Sequence, residues 1–363
     1  MQKLRLSIFF LLLITSLKGQ TPNDYEFSLL TCAPGEELYS IFGHSAIRLK
    51  SPAEDIVVNY GIFSFEEENF FTNFLLGKLN YRVGITDTKR FINAYRQEGR
   101  EVVENKLNIT APNKKRRLIT TINIDLEKKI YRYDYFANNC TTKISSLFSV
   151  DSTLFTGKNI PDTYRKGLNK SLYNQQWLRF LMNIALGMPA DKKLSYKERL
   201  FLPLFYHSYL TTNDTPARLD ITNRKTLKWY HGLTTPMVVI TVFFLLMIIS
   251  IVKQYRIHSF LYTTVFICLF TISGFILFFW FFSEHIHAKN NLNILWANPL
   301  YILLWVSGST FKKRVMQLVI FFNLLFIVLS FFALQEIIPE IYALVLLITI
   351  SIGFKYKKTF GAG

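Results

Sequence analysis

Six histidines and three cysteines in 363 residues leave little material for a metal centre. His285 and His287 are near neighbours, but no ligand cluster of familiar spacing accompanies them, so no metal and no cofactor is expected. The chain also lacks a glycine-rich phosphate loop, a dinucleotide fingerprint and a G-x-S-x-G elbow. No internal repeat and no low-complexity linker divides it. Acidic residues are few, 25 against 42 Lys and Arg, which gives a formal net charge of +17. Such a balance often signals nucleic acid. The apolar segments argue against that partner here, because they place the bulk of the polar chain outside the cell membrane.

What the chain has in excess is apolar surface: half of its residues are hydrophobic and 34 are Phe. The opening stretch, MQKLRLSIFFLLLITSLKGQ, pairs Lys3 and Arg5 with an apolar run too short for a spanning helix of roughly 20 residues. It reads as a secretory signal over 1–19. An uncleaved anchor is the alternative. Five apolar stretches then fill 234–354: Thr234 to Val252, Ser259 to Phe282, Leu292 to Gly308, Val315 to Leu334 and Ile338 to Phe354. The third is interrupted by Asn298 and Pro299. Lys253 and Arg256, then Lys312, Lys313 and Arg314, then Lys355, Lys357 and Lys358 follow the first, third and fifth. With five spans these clusters share one side, the cytoplasm by the positive-inside rule. The expectation is a multi-pass membrane protein, with a short cytoplasmic tail at 355–363 and the region before the spans facing outward. The basic segments NKKRRL and DKKLSYKERL then suit anionic lipid headgroups or a solvated face.

That outer region reads as a mixed α+β domain over 20–170 with an antiparallel sheet. YEFSLLTC is a strand ended by Pro-Gly, and HSAIRLK and DIVVNYGIFSF form a hairpin around SPAE. ENFFTNFLLGKLNY reads as a short helix, TKRFINAYRQEGREVVENKLNI as a helix and then a strand, and PNKKRRLITTINIDLEKKI as a helix. Two aromatic-rich helical stretches within 171–233 are expected either to lie in the membrane interface and join the domain to the first span or to serve as core helices.

Two short stretches carry the candidate chemistry. In YDYFANNCTTKISSLF, Asn139 precedes Cys140, and Ile144, Leu147 and Phe148 follow at helical spacing. Asn is a preferred helix cap. A thiol in a first helical turn sits at the positive end of the dipole, which favours the thiolate and offers backbone N–H groups to an oxyanion. A buried structural cysteine, or a disulfide with Cys32, would fit the same residues. In YSIFGHSAIRLK, alternation turns His44, Ala46 and Arg48 to one face and Ser45, Ile47 and Leu49 to the other. A hairpin turning on SPAE brings Asn59 near His44, where an amide would orient an imidazole. Tyr39, Ser45 and Arg48 are further candidate supports. A histidine with a purely structural role is the alternative.

His44 precedes Cys140, the reverse of the papain order. That arrangement is similar to circularly permuted NlpC/P60-like proteins, a group that includes lipid acyltransferases. LLTCAPGEELYSIFGHSAIRL, NYGIFSFEEENFFTNFLLGKLNYRV, YDYFANNCTTKI and FFSEHIHAKNNLNILWANPL together resemble the Lnb type of lipoprotein N-acyltransferase, the Bacteroides type. Lys143 stands where that family more usually has Arg. The resemblance implies a permuted NlpC/P60-papain-like α+β domain followed by an all-α membrane domain, with Cys140 as nucleophile and His44 as general base.

The implied reaction moves an acyl chain from a phospholipid, through a Cys140 thioester, to the N-terminal amine of a diacylated lipoprotein. The expected partners are therefore the phospholipid donor, the lipoprotein acceptor and the membrane, with no nucleic acid. Phe70, Phe71 and Phe74 are candidate walls of an acyl groove or, equally, core. His285, His287 and Asn293, in the loop between the second and third spans, are candidates for headgroup contact, or else satisfy a broken third span. A peptidoglycan-cleaving cysteine peptidase and a non-catalytic envelope sensor are the alternative functions.

Overall fold

The structure, a computed structural model, describes residues 24–156, 158–211, 234–253, 257–306, 309–332 and 334–360. The expected signal at 1–19 and Arg256 lie outside the described residues. The described chain forms two compact units. One holds residues up to 68, then 79–160 and 196–211; the other holds 69–78, 161–195 and 234–360. The chain crosses between the units more than once, so neither unit is one continuous segment. The helix Phe70–Leu76 leaves the outer domain for the second unit, and the helix Pro203–Leu210 returns to the first.

The first unit is built on a six-stranded antiparallel sheet. Its strands are β1 (Glu26–Cys32), β2 (His44–Lys50), β3 (Asp55–Ile62), β4 (Asn80–Asp87), β5 (Val102–Leu107) and β6 (Ile130–Arg132), in the spatial order β5-β1-β2-β3-β4-β6. The hairpin around SPAE forms as expected. β4 is not among the expected elements, although Tyr81, Val83 and Ile85 alternate along its sequence, NYRVGITD; only Val83 is buried. β1 and β2 are central and buried almost throughout, so both of their faces are covered. Leu30, Cys32, Ala46 and Val57 pack against Phe91 of the helix Thr88–Gln97, with Tyr95 alongside. That is the face to which His44 also points, two residues before Ala46. The opposite face carries Ser45, whose hydroxyl meets that of Thr141 at 3.1 Å on the helix Cys140–Ser146. The two helices thus sandwich the middle of the sheet.

The returning helix Pro203–Leu210 is no interfacial element. Phe205, Tyr206, His207 and Tyr209 are buried, and the helix packs on β1. It serves the core, where its apolar area is removed from water.

The second unit is helical. Ile257–Phe281, Ser309–Ser330 and Pro339–Phe360 contain three segments long and apolar enough to cross a membrane; Pro236–Val252 is apolar but shorter. The third expected span, at 292–308, is not a continuous helix among the described residues. It consists of 3-10 turns at Leu292–Leu295 and Pro299–Ile302 followed by the short helix Leu303–Val306. Pro299 has no N–H to continue a ladder, and the Asn298 side chain caps the next turn by accepting from the Leu300 N–H at 3.1 Å. The last helix also runs on to Phe360, so the expected tail at 355–363 is helical over its described part.

The helix Gln176–Ala185 buries Phe180 and Ile184 in this unit's core while Trp177 and Leu181 stay exposed. The basic clusters gather at one end of the unit. Lys358 Nζ donates to the Ile251 carbonyl at 3.1 Å, Lys355 lies 3.9 Å from the Tyr262 ring centroid, and Lys313 lies 5.9 Å from that of Tyr356.

Candidate active site

Cys140 opens its helix, and the local sequence explains why the helix begins there. The Asn139 side-chain oxygen accepts from the N–H groups of Thr141 and Thr142 at 2.9 and 3.0 Å. The Thr142 hydroxyl in turn accepts from the Asn139 N–H at 2.8 Å, which closes a reciprocal capping box. The Asn139 amide donates to the carbonyls of Tyr135 and Phe201 at 2.7 and 3.0 Å. Phe201 belongs to the returning segment, so that segment helps to hold the thiol in place. Asn139 is buried and all four of its side-chain bonds are made: it positions Cys140.

One expectation is revised by this geometry. The N–H groups of Thr141 and Thr142 are already taken by Asn139, so the first helical turn does not offer them to an oxyanion.

His44 meets Cys140 where the sheet opens. The pairing of β2 with β3 runs from Lys50–Asp55 to Ile47–Val58 and stops. Continued by one residue, it sets Asn59 opposite Ala46, on the same face as His44. The side chains meet: His44 Nε2 lies 2.7 Å from Asn59 Oδ1. The amide oxygen only accepts, so Nε2 carries the proton, and Nδ1 is the nitrogen left to receive one from the thiol.

Two glycines shape the opening. Gly43, just before His44, has φ +78°, and a Cβ there would stand 2.6 Å from the Cys32 carbonyl oxygen. Gly61 has φ +105° beside the register shift of β3, and a Cβ there would lie 3.5 Å from both Cys140 Cβ and His44 Cε1. Only a residue without a side chain sits easily in either conformation.

The electrostatics favour an ion pair. Burial pushes the Cys140 thiol up, but the charge of His44 and a hydrogen bond from its ring outweigh it. A bond from the Ser45 N–H and one from the Thr141 hydroxyl add to these, and the thiol settles at about 7. Burial pushes His44 down, yet the thiolate and the bonds to Cys140 and Asn59 raise it above its ordinary value. Cys140 keeps part of its surface accessible.

Residues that sequence reasoning missed surround the pair. Tyr95 stacks on His44 at 6.4 Å between centroids and 9° between planes, and the Arg100 guanidinium lies 4.6 Å from the Tyr95 centroid. Cys32 pairs across the strands with His44 and is bonded to Tyr95. It is a free thiol, as is Cys140, and burial pushes it up to about 12. The hydroxyls of Tyr131 and Tyr135 are buried, make no hydrogen bond among the described residues and lie within electrostatic reach of the thiol. Gly61 had a legible signal, since a glycine inside a strand often marks a bulge or a close approach. The tyrosines had none, because their convergence depends on four separate segments.

The remaining candidates separate into those near the pair and those elsewhere. Ser45 bridges β2 to the Cys140 helix. Tyr39 does not bond the pair; it begins an aromatic tract in which it packs edge-on to Phe63 and Phe65, Phe63 stacks on Tyr81, and Tyr81 stacks on Tyr133 at 4.1 Å. Arg48 is placed four residues along β2, about 13 Å away at strand rise, where it binds Asp55 and Glu104 at 2.5 and 2.7 Å. It braces the sheet rather than the pair. Lys143 places its amine 4.8 Å from the Tyr131 centroid.

His285, His287 and Asn293 lie in the second unit and have structural partners. Asn293 is fully buried, donating to the Asn183 and Ile184 carbonyls and accepting from the Trp296 indole at 2.8 Å. His287 packs edge-on to Tyr164 and its carbonyl accepts from the Gly187 N–H. His285 Nε2 donates to the Phe74 carbonyl at 2.8 Å. The polar loop thus satisfies backbone groups around the broken segment, and Asn293 is fully buried with both amide hydrogens in use. No group of metal-ligating side chains occurs among the described residues.

Two family models match the chain. Residues 18–170 match the family model of the Lnb N-terminal periplasmic domain, and residues 228–360 match that of the Lnb transmembrane domain. The chain belongs to the Lnb family. It is a membrane protein with a periplasmic-type domain ahead of its apolar helices. No curated protein and no solved structure matches it, so a likeness to permuted NlpC/P60 proteins rests on the sequence order alone. Within this Lnb chain the periplasmic-domain match takes in His44, Asn59 and Cys140 together.

Proposed function

We propose that this chain is a cysteine acyltransferase that N-acylates lipoproteins at the periplasmic face of an inner membrane. The observation that carries the reading is the contact chain Asn59–His44–Cys140. The Lnb family match and the apolar helices that follow support it.

The proposed steps use these residues. His44 Nδ1 takes the thiol proton, and Cys140 Sγ attacks the ester carbonyl carbon of a phospholipid. The tetrahedral oxyanion forms beside the buried hydroxyls of Tyr131 and Tyr135, which burial keeps protonated and therefore able to donate. The C–O bond breaks, the imidazolium returns its proton to the departing alkoxide, and a lysophospholipid leaves. The amine of a diacylglyceryl-cysteine then attacks the Cys140 thioester, His44 removes the surplus proton, and the C–S bond breaks to give an amide and the free thiolate. The tract from Tyr39 through Phe63 and Phe65 to Tyr81 offers an apolar surface for the acyl chain. It takes the part expected of Phe70, Phe71 and Phe74, which belong to the second unit.

Five membrane crossings suit this reading, the third being the broken segment at 292–308. Its support is the gathering of the basic clusters at one end of the helical unit. The aromatic tract favours an acyl substrate over a muropeptide.

The test is mass spectrometry of lipoprotein N-termini in a strain with no other N-acyltransferase. Wild-type chain yields triacylated N-termini and Cys140→Ala yields none. A labelled acyl chain should accumulate on the wild-type protein and be released by hydroxylamine. Persistent N-acylation in Cys140→Ala would end the proposal, and hydrolysis of muropeptides in its place would favour the peptidase.

A further inference from the structure

The helix Phe70–Leu76 has an unusual surface. It carries no charged residue, and Phe71, Phe74 and Leu75 are exposed. Their spacing, i, i+3 and i+4, puts all three on one face. Phe71 is 70% exposed, which is a large apolar area to leave in water.

What holds this helix identifies the level at which it lies. Its last carbonyls are capped by three consecutive residues of the second unit. Ser283 Oγ donates to the Leu75 carbonyl at 2.9 Å, the Glu284 N–H to that of Leu76 at 2.9 Å, and His285 Nε2 to that of Phe74 at 2.8 Å. Gly77 ends the helix with φ +72°, and a Cβ there would stand 3.2 Å from the Glu284 Cβ and the His285 backbone nitrogen. Those capping residues come directly after the candidate span Ser259–Phe281. Its 23 residues extend about 34 Å at 1.5 Å per residue, just past the roughly 30 Å of a bilayer's hydrocarbon. Residues 282–286 therefore emerge at the headgroup boundary, where Phe281, Phe282 and Ile286 are exposed as well.

We infer that the face Phe71–Phe74–Leu75 is an interfacial membrane anchor, seated at the headgroup–acyl boundary beside the end of this span. The occupant is the lipid bilayer. Continuity with the exposed Phe281, Phe282 and Ile286 argues for it, and so does the absence of charge on the helix. Residues 69–78 are thereby held at the membrane surface. His285 acquires a role as one of the pins rather than as a headgroup ligand.

The experiment is site-directed spin labelling of the full-length protein in phosphatidylcholine–phosphatidylglycerol vesicles. The background is Cys140→Ser and Cys268→Ser, with the fully buried Cys32 retained. Nitroxides are placed at Phe71→Cys, at Leu75→Cys and, as a water-exposed reference, at Ala53→Cys on the SPAE turn. At 71 and 75, collisions with dissolved oxygen should exceed those with a water-soluble nickel chelate by a ratio several-fold above that at 53. Ratios equal to the reference would overturn the anchor. Labels that are immobile and reached by neither reagent would overturn it too, because protein rather than lipid would cover the face. Two labelled positions keep the result interpretable if one variant misfolds. The readout is location alone, so the anchor can fail while Cys140 remains an acyl carrier, and the reverse.

Discussion

His44 donates from Nε2 to Asn59 Oδ1 across the mouth of the β2–β3 hairpin, at 2.7 Å. The bond fixes which imidazole nitrogen faces the thiol. An Asn59→Ala change leaves the ring free to rotate and to change tautomer. Acyl transfer should fall, but by less than in His44→Ala, where general-base loss costs about 10²–10⁴-fold. The check is the rate of thioester formation from labelled phospholipid. Equal rates in wild type and Asn59→Ala would remove Asn59 from the mechanism.

The thiol should titrate early. Alkylation of Cys140 by iodoacetamide is expected to rise with an inflection at about 7. Without His44, burial still favours the neutral thiol while its main counterweight is gone, so the inflection in His44→Ala should move above the ordinary value of 9.0. Acyl transfer should fall on the acid side as the thiolate is protonated and on the alkaline side as the imidazolium, raised above its ordinary value, loses its proton. The two limbs belong to the pair rather than to either residue.

Asn139 should matter for stability as much as for activity. Asn139→Ala removes the cap, at a typical cost of about 0.5–2 kcal/mol. It also strands the carbonyls of Tyr135 and Phe201, at about 1–3 kcal/mol for each buried group left unsatisfied. Asn139→Asp keeps the capping oxygen but loses both donors, so its melting temperature should fall between those of wild type and Asn139→Ala. A melting temperature unchanged in Asn139→Ala would contradict the positioning role.

Tyr135→Phe deletes one hydroxyl and leaves the ring that packs on Phe42. If that hydroxyl meets the oxyanion, thioester formation should drop by about 10²-fold with the alkylation inflection little moved. A stability gain with full activity would show instead that the hydroxyl is merely a buried group without a partner.

Much of the first unit was legible because its signals are local. Strand alternation, the SPAE turn and the Asn139 cap each need only a few adjacent residues. The pairing of His44 with Cys140 was legible only through motif order, and that of His44 with Asn59 through the hairpin register that a turn at SPAE implies. What stayed hidden depends on distant returns of the chain. Phe201 reaches Asn139 from beyond a whole helical segment, and Tyr81, Tyr95, Tyr131 and Tyr135 converge from three elements and a loop. The break within 292–308 has a local reason. Hydropathy averages over Asn298 and Pro299, whereas backbone geometry does not.

Cys32 gives the thiol site a chemical asymmetry. It sits across the strands from His44, buried and pushed up to about 12, while its neighbour ionises near neutrality. A thiol that stays protonated is a poor attacking group. Should Cys140 be oxidised to a sulfenic acid in an oxidising compartment, Cys32 is in no state to trap it as a disulfide. Rescue of the nucleophile then falls to reductants from outside the protein, and its unprotected course is further oxidation to the sulfinic acid.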